Sequence, residues 1–440
     1  MRYAELIGGL FPRLSGGVRW GLERTEALLG SVGDPHQRFR SIHIGGTNGK
    51  GSVSATLASI LQASGKRVGL YTSPHLCTFR ERIQIDGGAV GEEAVIGAAE
   101  RLWPEIEERG ASFFEATTAI AFDIFAREGV EIAVVEVGLG GRLDSTNLID
   151  PEVVVITNVG LDHLDLLGPD LETISREKAG IIKPGVPVIT GALDPRAIAI
   201  LGGYADRVGA PFYQFDRGGV NDLVLSEWGT TFTLQTDLWG ELALRTPLLG
   251  HHQADNVGLA LGALSLLDPA ERPDPSQIEE GLALTRLPGR VEWERIDGLD
   301  WIFDVAHNRE GLAALRKTLF DLPLPRPLRA VIGILKDKEW AVMVEYLLDF
   351  VDHLILTRPV SAPGDRAWDP WEVRTQFPSE RVEVITELGS ALAEASARGE
   401  REGGTTLVTG SFHTVGDALA LLGRAPYGVD PALPPAIVGI

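Results

Sequence analysis

The sequence has few of the features that mark secreted, membrane-spanning or nucleic-acid-binding proteins. Its 440 residues include a single cysteine, Cys77, which excludes an internal disulfide framework and fits a reducing cytoplasm. No stretch reaches about 18 uninterrupted apolar residues, and residues 1–10 lack the apolar core of a signal peptide, so we expect no membrane segment. Positive charge is also scarce, because 40 Lys and Arg face 61 Asp and Glu. The net charge of −21 argues against a general nucleic-acid binder.

The remaining composition is that of a globular protein with more than one domain. Hydrophobic residues make up 44% of the chain and charged residues 23%, and 440 residues exceed one ordinary domain. We therefore expect two domains. Because the overall charge is negative, any anionic ligand must be held by cations placed close to it.

One segment, Ser41–Ser52, has the pattern of a phosphate-binding loop. An apolar run gives way to closely spaced glycines, and apolar residues at helical spacing follow in Val53–Leu61, which predicts a strand, a tight loop and a helix. The N–H groups of such a loop attract polyphosphate, and Lys50 adds a full positive charge. An ordinary turn is the alternative interpretation, and Gly51 departs from the common pattern by separating Lys50 from Ser52.

The rest of the chain predicts two α/β units. The apolar runs Ile132–Val135 and Val153–Ile156 suit strands buried on both faces of a parallel sheet. Polar and apolar residues alternate in Leu223–Leu248, which predicts an antiparallel ribbon. We predict an N-terminal P-loop-type parallel-sheet ATPase domain with this ribbon over residues 1–289. A smaller C-terminal Rossmann-like α/β domain is predicted over residues 290–440.

Polar clusters follow three further strands of the first unit. They are Thr72–His75, Glu136–Asp144 and Thr157–Asp165. Ligands of an open parallel sheet collect beyond the carboxyl ends of its strands, so we expect these clusters to meet the phosphate loop. Ser73, Glu136 and His163 offer ligands that suit Mg²⁺ shared with nucleotide phosphates. Taken singly, they have ordinary interpretations as a turn residue, a strand-end cap and a surface histidine.

Further polar residues recur later in the chain. They are Lys178, Gln253, Asn256, Arg290, Asp304 and His307. Ordinary roles are open to each of them, because a helix C-terminus favours a cation and helix starts favour polar side chains. Cys77 is most simply structural, and no Cys or Ser has the base partners of a nucleophile nearby in sequence.

The order of these pieces resembles the folylpolyglutamate synthase and dihydrofolate synthase branch of the Mur ligase family. The resemblance runs from about residue 20 to about residue 420. Its signatures are Gly46–Ser52, Thr72–Leu76, Phe79–Ile83, Glu136–Asn147, Asp162–His163, Arg176–Ile181, His252–Asn256, Pro288–Arg290 and Asp304–Asn308. Among these, Thr72–Leu76 and Phe79–Ile83 look specific for folate. Two departures concern the local backbone: Val305 and Arg309 replace the usual Gly and Pro, and Leu287 replaces a common Trp.

The resemblance implies a role for individual residues. The implied ATP-binding residues are Thr47, Asn48, Gly49, Lys50, Gly51, Ser52, Asn256, Arg290, Asp304 and His307. Ser73 and Glu136 would bind one Mg²⁺, and Glu136 with His163 a second. Lys178 would be carbamylated by CO₂ and would help to organise the second metal. The implied catalytic residues are Lys50, His163, Lys178 and Arg290.

A pterin-bearing substrate would contact a separate set of residues. That set is Arg19, Trp20, Gly21, Leu22, Arg82, Phe114, Glu115, Ala116 and Thr117. The implied chemistry begins with phosphorylation of a carboxylate by ATP. The amine of L-glutamate then attacks the acyl phosphate, and an amide, ADP and phosphate result.

The expected acceptor is dihydropteroate, the γ-glutamyl tail of a tetrahydrofolate, or both. We expect a cytoplasmic monomer with no nucleic-acid or membrane partner. Three alternatives remain open from the sequence. They are a P-loop kinase or NTPase, a non-catalytic nucleotide-binding module, and a Mur-type ligase acting on a cell-wall nucleotide peptide.

Overall fold

A computed structural model describes residues 2–14, 20–364 and 366–431, and its first sheet lies in the N-terminal half of the chain. The strands of that sheet are β1 (Arg40–Gly45), β2 (Val68–Tyr71), β3 (Ile83–Ile85), β4 (Gly88–Ala89), β5 (Ile132–Glu136), β6 (Val153–Ile156), β7 (Val188–Thr190) and β8 (Phe212–Gln214). Their spatial order is β4-β3-β2-β5-β1-β6-β7-β8. The pairs from β2 to β8 are parallel, and β3 and β4 continue the sheet antiparallel.

Helices cover both faces of this sheet. They are α1 (Tyr3–Leu10), α2 (Glu23–Ser31), α3 (Lys50–Ala63), α4 (Glu92–Glu108), α5 (Phe113–Arg127), α6 (Leu164–Leu167), α7 (Leu171–Ala179), α8 (Pro195–Val208), α9 (His251–Ser265) and α10 (Pro275–Leu284). Successive side chains of a strand point to opposite faces. Val153 and Val155 therefore pack with α3, α9 and α10, while Val154 and Ile156 pack with α7 and α8. This two-sided burial explains why the strands are continuous apolar runs.

The predicted ribbon is a separate antiparallel sheet. Its strands are β9 (Val220–Ser226), β10 (Gly229–Thr236) and β11 (Gly240–Thr246), with β10 in the middle. Phe232 and Leu234 of β10 and Leu242 and Leu244 of β11 join the same apolar core as α3 and α9. The ribbon packs against α9 and α10, and these two helices in turn pack against α3, the helix that follows the phosphate loop.

A second sheet begins just after the predicted domain boundary. Its strands are β12 (Glu292–Ile296), β13 (Leu299–Asp304), β14 (Leu328–Ile332), β15 (His353–Arg358), β16 (Val382–Glu387) and β17 (Thr405–Thr409). Their order is β12-β13-β17-β14-β15-β16, and all pairs except β12 with β13 are parallel. The surrounding helices are α11 (Arg309–Asp321), α12 (Trp340–Leu348), α13 (Pro370–Gln376), α14 (Leu388–Glu402) and α15 (Phe412–Leu421).

The predicted fold class is confirmed. Both α/β units, the parallel first sheet and the antiparallel ribbon are present at the expected places in the chain. The division into residues 1–289 and 290–440 stays a proposal. None of the helices in the described ranges has the length and apolar character that a membrane crossing requires.

Close packing of α10 on α3 generates a stability prediction. A Cβ atom on Gly281 of α10 would lie 2.4 Å from Cα of Ile60 in α3, so Gly281→Ala must force the two helices apart. We expect a loss of about 1–3 kcal/mol in unfolding free energy, measured by urea denaturation. Gly203→Ala in α8 is the matched control, because a Cβ there meets no atom within 4 Å. The control should gain about 0.5–1 kcal/mol from helix propensity. Equal stability of the two variants would contradict this account of the packing.

Candidate active site

A cavity of about 630 Å³ lies where the carboxyl ends of both sheets face each other. Gly46, Ser73 and Glu136 line it from the first sheet, and Asp304 and Gly410 line it from the second. Most of the site residues predicted from the sequence lie on its wall. These are Thr47, Asn48, Gly49, Lys50, Gly51, Ser52, Ser73, Phe114, Glu136, His163, Lys178, Asn256, Arg290, Asp304 and His307.

The phosphate loop joins β1 to α3 through a left-handed turn. Gly49, the residue before α3, has φ 84°, a conformation that favours glycine. A Cβ on Gly49 would lie 2.8 Å from Oδ1 of Asn256, so the loop and α9 approach closely. The Lys50 ammonium donates to the carbonyl oxygens of Gly46 and Thr47, each at 3.2 Å. These bonds fold the charged side chain back over the loop, beside the free N–H groups at the helix start.

Glu136 ends the neighbouring strand β5 and is 4% exposed. Its Oε2 accepts a hydrogen bond from the backbone N–H of Ser73, 3.2 Å away. Burial raises the pKa of Glu136, and the positive charges of Lys50 and Arg290 oppose that rise. The carboxylate therefore lies between cations from both domains, on the edge where a nucleotide phosphate would lie.

Lys178 is buried close to a second lysine. It is 3% exposed, and its ammonium donates to the carbonyl oxygen of Gly46 at 2.8 Å. Burial, together with the positive charge of Lys50, lowers the pKa of Lys178 to about 7. A large fraction of this amine is therefore neutral near neutral pH, and a neutral amine is a nucleophile.

The second domain supplies a cation, a carboxylate and a histidine. The Arg290 guanidinium lies 5.0 Å from the ring centre of Phe412. Asp304 accepts backbone hydrogen bonds from Val291 and Ala306, both at 2.9 Å, and burial raises its pKa. Burial also lowers the pKa of His307 to about 4, so this ring is neutral near neutral pH.

Polar contacts across the cleft also involve Glu310 and Lys338, which the sequence analysis did not single out. Asn308 donates to Oδ1 of Asn48 at 3.4 Å, and Asn48 donates to Oε2 of Glu310 at 3.3 Å. Lys338 lies 3.7 Å from Asp162. Lys338 and Phe412 follow strands β14 and β17, so the strand-end rule, applied also to the second sheet, could have found them.

The predicted metal ligands surround the cavity but form no dense cluster. Among residues 2–14, 20–364 and 366–431, no group of three or more His, Cys, Asp and Glu side chains is arranged to hold a metal ion. Mg²⁺ usually takes only one or two carboxylates and keeps water and phosphate ligands, so Glu136 beside Ser73 fits such an ion. His163 lines the same cavity, and its backbone N–H donates to Oδ1 of Asp162 at 2.9 Å. The assignment of Ser73, Glu136 and His163 to metal stays a prediction.

Few of the predicted substrate-binding residues reach the cavity wall. Phe114 lines it, whereas Trp20, Gly21, Leu22, Glu115, Ala116 and Thr117 do not. Glu115 instead accepts from the Ser112 N–H at 2.7 Å and from Arg24 at 2.8 Å, which caps α5 and ties it to α2. Arg82 lies behind the wall, and Arg19 falls outside the described residues. These residues were assigned by resemblance, and their contact with substrate stays a prediction.

Comparison with known proteins identifies the family. The family model described as Mur ligase middle domain matches residues 44–264, and the one described as Mur ligase, glutamate ligase domain matches residues 289–412. The chain is 39% identical over 362 residues to folylpolyglutamate synthase of Lacticaseibacillus casei, a match that covers 79% of this chain and 83% of the relative. The chain belongs to the folylpolyglutamate synthase branch of the Mur ligase family.

Other folylpolyglutamate synthases match over nearly their whole length. Dihydrofolate synthase/folylpolyglutamate synthase of Bacillus subtilis is 33% identical over 430 residues, covering 94% of this chain and 98% of the relative. The solved structure of folylpolyglutamate synthase of Mycobacterium tuberculosis, complexed with ADP and AMPPCP, has a TM-score of 0.86 at 31% identity. That match covers 96% of this chain and 98% of the other. The predicted resemblance is thereby confirmed.

Proposed function

We propose that this protein is an ATP-dependent ligase that joins L-glutamate to dihydropteroate and to the γ-glutamyl tail of tetrahydrofolates. The observation that carries the proposal is one cavity lined by the phosphate loop, the buried Glu136 and Lys178, and Arg290 from the second domain. The related enzymes named above include a dihydrofolate synthase/folylpolyglutamate synthase, which supports both acceptors. A complex of another relative with ADP and AMPPCP supports ATP as the nucleotide.

The charges in the cavity suit an acyl-phosphate mechanism. A carboxylate is a poor electrophile, and phosphorylation by ATP would turn it into an acyl phosphate that the amine of L-glutamate attacks. ATP, the acid substrate and glutamate are all anions, so their approach needs local positive charge. Lys50 and Arg290 supply fixed cations within a chain whose net charge is −21.

Magnesium fits this arrangement as a partner of the nucleotide. Ser73 and Glu136 would hold one ion, and Glu136 with His163 would hold a second. Bound Mg²⁺ would supply positive charge to the transferring phosphoryl group. The protein side chains would orient the phosphates, and the neutral amine of Lys178 is suited to react with CO₂. A carbamate there would convert a cation into an anionic group beside the phosphate loop.

The proposed nucleotide contacts come from both proposed domains, and this division favours closure during the reaction. Residues 46–52 belong to the proposed first domain, and Arg290, Asp304 and His307 belong to the proposed second, while all of them line the cavity. The polar contacts across the cleft are 3.3–3.7 Å long, so small movements can exchange them for contacts with substrate. Closure would exclude water from the acyl phosphate. We propose that the enzyme works as a cytoplasmic monomer without a nucleic-acid or membrane partner.

Substrate-dependent phosphate release tests the proposed activity. With ATP and L-glutamate present, we expect phosphate release only when dihydropteroate or tetrahydrofolate is added. Lys50→Ala should lower kcat by about a hundredfold or more, because the phosphoryl group loses its nearest fixed cation. Lys66→Ala is the matched control, since Lys66 pairs with Glu271 and does not line the cavity. Release without glutamate would favour a kinase or NTPase, and turnover of a cell-wall nucleotide peptide would favour a Mur-type ligase.

The CO₂ adduct of Lys178 is open to a separate test. In protein equilibrated with ¹³C-bicarbonate, we expect a carbamate signal in the ¹³C NMR spectrum that is lost in Lys178→Gln. CO₂ reacts with the neutral amine, and the pKa of Lys178 is about 7, so the signal should grow as pH rises through that value. Lys183→Ala is the control and should keep the signal. A carbamate that survives in Lys178→Gln, or none in the unaltered protein, would overturn the assignment.

A further inference from the structure

Arg82, which the resemblance assigns to substrate binding, is a buried cation that does not line the cavity. Arg82 directly precedes β3 and is 1% exposed, and its guanidinium lies 5.0 Å from the centre of the Phe113 ring. Its Nε donates to Nδ1 of His75 at 2.8 Å, whereas Nη1 and Nη2 are buried without a hydrogen-bond partner. Burying a guanidinium with so few partners costs free energy. Within the described part of the chain, the hydrogen bond to His75 is the one that the buried guanidinium makes, so we ask what this bond does to His75.

This hydrogen bond fixes the tautomer of His75. Arginine has only donors and stays protonated in proteins, so Nδ1 of His75 must present its lone pair to Arg82. The ring is therefore neutral, and its hydrogen lies on Nε2. The rings of Phe11 and Phe79 pack against the imidazole with centroids 5.7 and 6.5 Å away, which holds its orientation.

The hydrogen on Nε2 is directed away from Arg82. His75 lines the cavity whereas Arg82 does not, and Nε2 is the ring nitrogen that does not face Arg82. Nε2 makes no hydrogen bond within the described part of the chain. A donor with a fixed orientation and no protein acceptor is suited to bind an acceptor atom of a ligand.

The neighbours of His75 indicate which ligand atom this would be. Ser73 lies two residues before it and contacts Glu136, at the end of the cavity assigned to phosphate. Phe114 also lines the cavity and is only partly buried, so its ring offers an aromatic surface for a ring system. A substrate that reaches from the aromatic surface to the phosphate end must place its reacting carboxyl group between them.

We propose that His75 donates a hydrogen bond from Nε2 to an oxygen of the reacting carboxyl group of the acid substrate, and that Arg82 is the positioning residue that fixes His75 for this contact. The inference rests on the proposed function for the identity of the substrate. The tautomer of His75 follows from contacts within the protein alone. The tautomer and the contact of His75 with the substrate can therefore be tested separately.

Nitrogen-15 NMR of the full chain labelled at histidine tests the tautomer. The His75 signals are assigned by their loss in His75→Gln, and we expect hydrogen on Nε2 and a bare Nδ1. Arg82→Met removes the donor and should abolish this preference, whereas Arg82→Lys keeps a donor and should retain it. Hydrogen on Nδ1 in the unaltered protein, or an unchanged tautomer in Arg82→Met, would overturn the proposal.

Kinetics tests the contact with substrate. His75→Phe should lower kcat/KM for dihydropteroate by about tenfold, the effect of one lost hydrogen bond, while KM for ATP stays within about twofold. His75→Gln keeps a side-chain N–H near the same position and should recover part of the loss. Equal rates for His75→Phe and the unaltered protein would overturn the contact. A tenfold rise in KM for ATP in His75→Phe would overturn it as well.

A matched control separates positioning from general destabilisation. Arg329→Met removes another deeply buried arginine, one that donates to Thr406 in the second domain and does not line the cavity. We expect Arg82→Met to raise KM for dihydropteroate and Arg329→Met to leave it unchanged, even if both lower the unfolding temperature. If both variants change KM alike, the effect of Arg82 is one of stability and the positioning role is wrong. A fixed His75 tautomer in a chain without ligase activity would contradict the proposed function instead.

Discussion

The parallel pairing of β2, β5, β1 and β6 is the constraint on which the site depends. In that register Ile44 lies beside Glu136 on one side and Val155 on the other, so the loops after all four strands emerge at one edge. The phosphate loop, the segment at Ser73 and the carboxylate of Glu136 are therefore neighbours, although they come from distant parts of the sequence. Burial on both faces fixes the register, because a shift by one residue would exchange the side chains of the two faces. The second sheet presents its own carboxyl ends to the same cavity.

The second consequence of this geometry is electrostatic. The chain carries a net charge of −21, yet Lys50, Lys178 and Arg290 converge on a buried edge. Desolvation and mutual repulsion are unfavourable for these cations, which is why burial lowers the pKa of Lys178 to about 7. For Lys50 and Arg290 this cost becomes an advantage when a polyanion binds, since the ligand supplies counter-charge. Lys178, with its lowered pKa, is instead suited to react as a neutral amine. His307 and His75 are neutral, so the contacts proposed for them with a ligand would depend on the orientation of the ring and not on its charge.

Periodicity and turn chemistry were enough to predict the fold, because buried parallel strands leave uninterrupted apolar runs and the ribbon leaves alternation. They also predicted which loops would meet, since strand ends of one sheet share an edge. Partners set by packing could not be predicted. Nothing local in the sequence indicates that Glu115 caps α5 and pairs with Arg24, or that Lys338 reaches Asp162 across the cleft. Arg82 was assigned to substrate by resemblance alone, and only the three-dimensional arrangement places it behind His75.

We propose that one cleft of this enzyme activates a carboxylate with ATP and then delivers it to an amine. The most direct measurement uses dihydropteroate labelled with ¹⁸O in its carboxyl group, incubated with ATP and L-glutamate under single-turnover conditions. An acyl phosphate requires one labelled oxygen to pass from the carboxylate to the released inorganic phosphate, detected by mass spectrometry. We predict that each phosphate formed with the amide carries this label. Unlabelled phosphate formed together with the amide would contradict the account.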